Sequence, residues 1–131
     1  AFHPYGMEVV AQRAREMQAD IVLTLIDGWV MDPARITAGG AKWVPWFPVD
    51  HDPLPHPVRE KVKHAYQPIV YSRHAEKAAT DAGLDVRYVP HGVDTNVYRP
   101  MPQDEARAKL GLPADAFVIG IVAANKGLPS R

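Results

Sequence analysis

Asp50, His51, Asp52 and His56 stand together in one short run, VDHDPLPH, and are the densest group of chemistry-bearing side chains in the chain. A carboxylate beside an imidazole can orient a hydroxyl or move a proton. The other histidines, His3, His64, His74 and His91, are scattered, and no two of the six form an i, i+4 pair on one helix. With no cysteine present, a metal would need histidines and carboxylates from distant segments. The preferred reading is a solvated, proline-stiffened loop, not a metal centre. Asp27-Gly28-Trp29 follows an apolar run, where a parallel sheet would aim Asp27 at a cleft. Asp-Gly is also a strong turn signal, and a plain turn is the simpler expectation. The Gly-rich fingerprints GxGxxG and GxxxxGK[ST] are missing, and so is the GxSxG nucleophile elbow.

Such residues act only if secondary structure holds them. Apolar positions Met7, Val10, Ala11, Ala14 and Met17 have helical spacing over 6–18. The run IVLTLI from Ile21 to Ile26 is apolar on both faces, which predicts a central parallel strand covered by helices. Residues 33–40 read as loop or short helix. Lys42–Val44 reads as a strand that leaves the sheet at Pro45, because proline lacks the N–H that a central strand uses. Pro57 suits a first helical turn, and Val58, Val62, Ala65 and Tyr66 form the stripe behind it. A strand at Ile69–Tyr71 leads to Ser72, a helix cap, and then to a small-residue face at Ala75, Ala78, Ala79 and Ala82, ended by Gly83. Strands at 86–90 and 117–123 flank a helix at 103–110. Strand and helix alternate, which predicts an α/β fold: a Rossmann-like parallel sheet flanked by helices.

The composition narrows the classes. Lys plus Arg and Asp plus Glu each number 15, so there is no basic field for nucleic acid or for an anionic membrane. Hydrophobic residues make up 47%, enough for a real core in 131 residues. No apolar run approaches the length of a membrane span. The absence of cysteine fits a cytoplasmic setting.

PHGVDTNVYRP, residues 90–100, resembles the interdomain connector of retaining glycosyltransferases of family four, with Pro90, Gly92, Val93, Asp94, Tyr98 and Pro100 matching its pattern. VYSRHAEKAATDAGLDVRYVP upstream and RAKLGLPADAFVIGIVAANKG downstream resemble the segments that flank that connector. The resemblance spans residues 20–131 and is strongest over 68–123. It implies the GT-B architecture of two Rossmann-like domains facing a cleft. Residues 1–100 would be the later half of the acceptor-side domain, and 101–131 the connector and first strand of the nucleotide-sugar domain. The implied reaction moves a sugar, with retention, from a nucleotide-diphosphate donor to an acceptor. The donor is a substrate, and no cofactor is called for. Asp50 and His51 fall where many members carry an acceptor-facing histidine. Arg131, and less closely Lys126, match the cations that hold the donor phosphates, and Gly92, Val93 and Asp94 form the connector. The implied setting is cytoplasmic, at most peripheral to a membrane. Taken as an internal piece, the chain would be inactive alone and would self-associate through its unpaired apolar strand. The alternatives are a non-catalytic binding module presenting Trp43, Trp46 and Phe47, or part of a GT-B nucleotide-sugar epimerase.

Overall fold

A computed structural model describes residues 5–122. Arg131, Lys126 and His3 lie outside them. The chain divides into two compact units between Gly92 and Val93, inside the PHGVDTNVYRP segment.

In the first unit, four strands are laid down in chain order and paired in that order: β1 (Ile21–Leu25), β2 (Lys42–Phe47), β3 (Ile69–Val70) and β4 (Arg87–Tyr88). All three pairings are parallel. Each connection carries a helix: α2 (Pro33–Thr37), α3 (His56–Val62) and α4 (Arg73–Asp81), with α1 (Val10–Glu16) ahead of β1. The α/β, Rossmann-like sheet expected from the alternation is therefore present. Helix starts follow local chemistry. Asp32 accepts from Arg35 N–H at 3.2 Å ahead of Pro33, and Ser72 Oγ accepts from Ala75 N–H at 3.0 Å. Gly83 ends α4 at φ +81°. At the other end of the chain α1 is shorter than its periodicity predicts, because Gly6 turns at φ +66° and Met7–Val9 form a turn.

Two expectations about strands are corrected. β2 does not leave the sheet at Pro45. It continues to Phe47 as an inner strand, with Pro45 opposite Thr24 of β1. Successive backbone groups of a strand point to opposite neighbours. Lys42 N–H bonds back to Asp20 beside β1, while the Trp43 carbonyl accepts from Tyr66 on the other side. The Pro45 nitrogen therefore faces the β3 side, where the ladder begins only at Trp46–Ile69, so no sheet N–H is lost there. β1, in turn, is not a covered central strand but an edge strand.

The reason is one-sided cover. Trp43, Phe47 and Val70 share one face, and against it pack Met7, Met31 and Ile36 near Trp43, and Leu54, Val58, Val62, Ala75 and Ala79 near Phe47 and Val70. A run of crossovers that always steps to the next neighbour, with the right-handed sense such connections take, puts its helices on one side. On the opposite face, Leu23 registers with Val44, Leu25 with Trp46, and Trp46 with Ile69. There Ile21, Leu23 and Leu25 are 52%, 58% and 57% exposed. Parallel sheets normally bury both faces; this one leaves an apolar face open at β1.

The second unit begins with a turn in which Asp94 Oδ1 accepts from Asn96 N–H at 2.9 Å. Helix α5 (Gln103–Leu110) follows, buries no residue and stops at Gly111 with φ +67°. The Arg107 guanidinium then ties down the carbonyls of Pro113 and Ala116. The strand expected over 117–123 is not formed within the described residues 117–122; Phe117, Ile119 and Ile121 are almost fully exposed. A strand needs a partner to satisfy its backbone, and this segment has none within its own unit.

Candidate functional site

The carboxyl ends of β1 to β4 open on the same edge of the sheet, the place where open parallel sheets bind ligands. Four loops leave there. The first carries Asp27 and then a single 3-10 turn, Gly28–Val30. Gly28 is buried, and a Cβ on it would stand 2.8 Å from Val58 Cγ1, so only glycine lets this loop lie on α3. Lys61, also on α3, donates from Nζ to the Trp29 carbonyl at 2.6 Å and fixes the loop on the helix. Asp27 is exposed.

The second loop follows β2 and carries the sequence-predicted pair. Asp50 Oδ1 and His51 Nδ1 are 2.6 Å apart, both well exposed. The hydrogen bond from His51 holds the Asp50 carboxyl below its ordinary value. Asp27, Gly28, Trp29, Pro48, Val49, Asp50, Leu54, Pro55 and Val58 enclose a narrow cleft of about 90 Å³ between the first and second loops. Asp27, read first as a plain turn residue, thus shares a cleft with Asp50. His56 stands apart from them at the start of α3, 3.8 Å from Glu60.

Tyr71 and His91, after β3 and β4, complete the edge. The His91 ring lies 4.2 Å from Tyr71 and 4.7 Å from Trp46. Burial first, then the carboxylates of Asp27 and Asp50, pushes the Tyr71 phenol above its ordinary value. Both acids thus act electrostatically on the aromatic group. The sequence places Trp46 in an aromatic run but gives no sign that Tyr71 and His91 join it; only the register of three strands brings them together. Trp43 and Phe47, grouped with Trp46 as a contact surface in the binding-module alternative, are instead core residues at 1% and 0% exposure. They alternate with Trp46 along β2 and point to the helix-covered face.

A wider, open groove of about 450 Å³ lies between α2 and α3, lined by Asp32, Glu60, Lys61 and His64 among others. Its polar groups are engaged: Asp32 caps α2 and pairs with Arg35, and Glu60 is held by Lys63 and Arg59. The cleft at the strand ends, with its less engaged acids, is the better candidate. Among the described residues, no three His, Asp or Glu side chains are grouped to hold a metal, and no helix is long and apolar enough to cross a membrane. Gly92, Val93 and Asp94 are exposed where the two units divide, and the donor-phosphate candidates Lys126 and Arg131 lie outside the described residues.

Fold and site together define an α/β unit with an all-parallel sheet and an acidic, aromatic rim at its strand ends. No protein-family model matches the chain, and no curated protein and no solved structure is significantly similar to it.

Proposed function

We propose that this chain is an internal part of a retaining glycosyltransferase of GT-B architecture, with residues 1–100 on the acceptor side and 101–131 opening the nucleotide-sugar domain, and that the enzyme moves a sugar from a nucleotide-diphosphate donor to an acceptor. The observation that carries the reading is the one-sided sheet. In a doubly wound sheet, strand order reverses at a switch point, and the strands on one side of it follow one another in sequence with their helices on one face. The order β1-β2-β3-β4, the free edge of β1 and the open face of Ile21, Leu23 and Leu25 are what one such half presents when its other half is missing. In that fold ligands bind beyond the strand ends beside the switch point, and Asp27 and Asp50 follow the ends of β1 and β2.

In this reading Asp50 and His51 face the acceptor. The donor diphosphate is held by cations of the second domain, for which Arg131 and Lys126 are the candidates, stabilising charge as the glycosidic bond to phosphate breaks. The enzyme works in the cytoplasm with no cofactor. The 131 residues alone do not transfer sugar. The test uses the chain extended by its natural flanking coding sequence. The longer protein should transfer sugar from a nucleotide-diphosphate sugar with the anomeric configuration kept, read by NMR of the product, and the 131-residue chain should not. Transfer by the short chain, or none by the longer protein, would overturn the reading.

A further inference from the structure

Three aromatic rings from three successive strand ends meet on the open side of the sheet. Trp46 is in β2 and shares the uncovered face with Leu25 and Ile69. Tyr71 follows β3 by one residue, and His91 leaves β4 through Val89 and Pro90. The His91 ring is tilted 36° to Tyr71 and 41° to Trp46, and Trp46 meets Tyr71 edge-on at 6.5 Å. The Trp46 indole N–H donates to the Val89 carbonyl at 3.1 Å, so the ring's orientation is fixed by a strand two places away in the sheet. None of the three belongs to the hydrophobic core: Trp46 and Tyr71 are half-buried and His91 is exposed. The rings are held by one another and by backbone, and their surface is left to solvent.

Asp27 and Asp50 follow the ends of β1 and β2 on the same edge, and both raise the Tyr71 phenol electrostatically. Asp27 has no ion-pair partner among the described residues, and Asp50 pairs with the neighbouring His51. The cations of the adjoining helices are occupied. Arg59 Nε donates to the Ala82 carbonyl, Lys61 holds the Trp29 carbonyl, and Arg73 pairs with Glu76 while lying over the Tyr88 ring. The rim therefore offers flat apolar surface and strong hydrogen-bond acceptors, and Arg87, in β4 level with Ile69, is a cation on this face of the sheet without an ion pair among the described residues. A phosphate or carboxylate ligand would meet like charge at Asp27 and Asp50. A pyranose ring suits it, because its C–H face stacks on aromatic faces while its hydroxyls donate to carboxylates.

We propose that Trp46, Tyr71 and His91 form the stacking subsite for a neutral saccharide whose hydroxyls donate to Asp27 and Asp50. The proposal rests on the glycosyltransferase reading and names the class of its acceptor: an uncharged sugar unit, with the nucleotide excluded from this rim. Isotope-labelled 131-residue chain is titrated with maltose, mannobiose, lactose and chitobiose, and separately with tetramethylammonium and uridine diphosphate, and followed by NMR. At least one disaccharide should shift the Trp46 indole signal and the Tyr71 and His91 amides saturably, with the Trp43 indole, buried in the core, as internal control. His91→Ala removes an exposed side chain and leaves the fold intact; it should weaken that binding by about tenfold, the loss of one ring contact. Asp50→Ala should weaken it as well. Silence from all four disaccharides overturns the proposal, as does response of the rim to tetramethylammonium or uridine diphosphate alone. Disaccharide shifts that map elsewhere and survive His91→Ala overturn the subsite but leave the glycosyltransferase reading standing, since sugar transfer by the longer chain tests that separately.

Discussion

Leu23→Ala tests whether the open face of β1 is a surface or an interior waiting for its cover. In the 131-residue chain Leu23 is 58% exposed. Full burial of a leucine stabilises by about 1.5–3 kcal/mol, so the buried remainder, somewhat under half, is worth about 0.6–1.3 kcal/mol. An open face also leaves no enclosed cavity, and the substitution should cost no more than about 1.3 kcal/mol in the isolated chain. If flanking sequence supplies a layer over Ile21, Leu23 and Leu25, the same change creates a cavity and should cost about 2–5 kcal/mol in the longer protein. The assay is urea unfolding of both proteins with and without the substitution. It is run at low protein concentration, and midpoints are compared only where the slope is unchanged. A loss above about 2 kcal/mol in the short chain would show that the face is already covered. Equal small losses in both proteins would show that it stays open, and the half-sheet argument would fail with it.

Further outcomes follow from other parts of the molecule. Gly28→Ala drives a Cβ to within 2.8 Å of Val58 Cγ1 and should cost about 1–3 kcal/mol by overpacking, measured as a lowered urea midpoint. Ser72→Ala removes the cap of α4 and should cost about 1 kcal/mol, while Ser72→Asp keeps the acceptor and should restore most of it. Tyr71 has its phenol raised by burial and by Asp27 and Asp50, so the neutral form is favoured in the fold; the stability it contributes is present below the ordinary tyrosine range and lost as pH rises through the raised value. The double change Asp27→Asn with Asp50→Asn should bring the Tyr71 titration back toward normal but not wholly, read as tyrosinate absorbance against a Tyr71→Phe reference. Phe117, Ile119 and Ile121 present an unpaired apolar segment, and the 131-residue chain should self-associate as concentration rises; sedimentation showing a monomer throughout would refute this.

Local signals carried most of the elements. Ser72, Gly83 and Gly111 mark helix ends because capping and left-handed turns depend on single residues and their immediate neighbours. The alternation of strand and helix sufficed for a parallel α/β sheet, since parallel strands need long crossovers. The Asp50–His51 pair was legible because its members are adjacent. What failed were judgments that depend on a neighbour in space. IVLTLI looks central by composition, yet its cover depends on which way the crossovers wind and on what else joins the sheet. Pro45 looks like a strand breaker, yet the cost depends on which neighbour its nitrogen faces, and the ladder on that side begins one residue later. FVIGIV has the residues of a strand and no partner to make it one within the described chain. The aromatic rim was the least legible of all. Trp46, Tyr71 and His91 are spread over 46 positions of chain, from 46 to 91, and only pairing of β2 with β3 and β3 with β4 sets them ring against ring. Sequence determines what each residue can do with its neighbours along the chain; register and sheet order, which are properties of the whole fold, decide which distant side chains share a site.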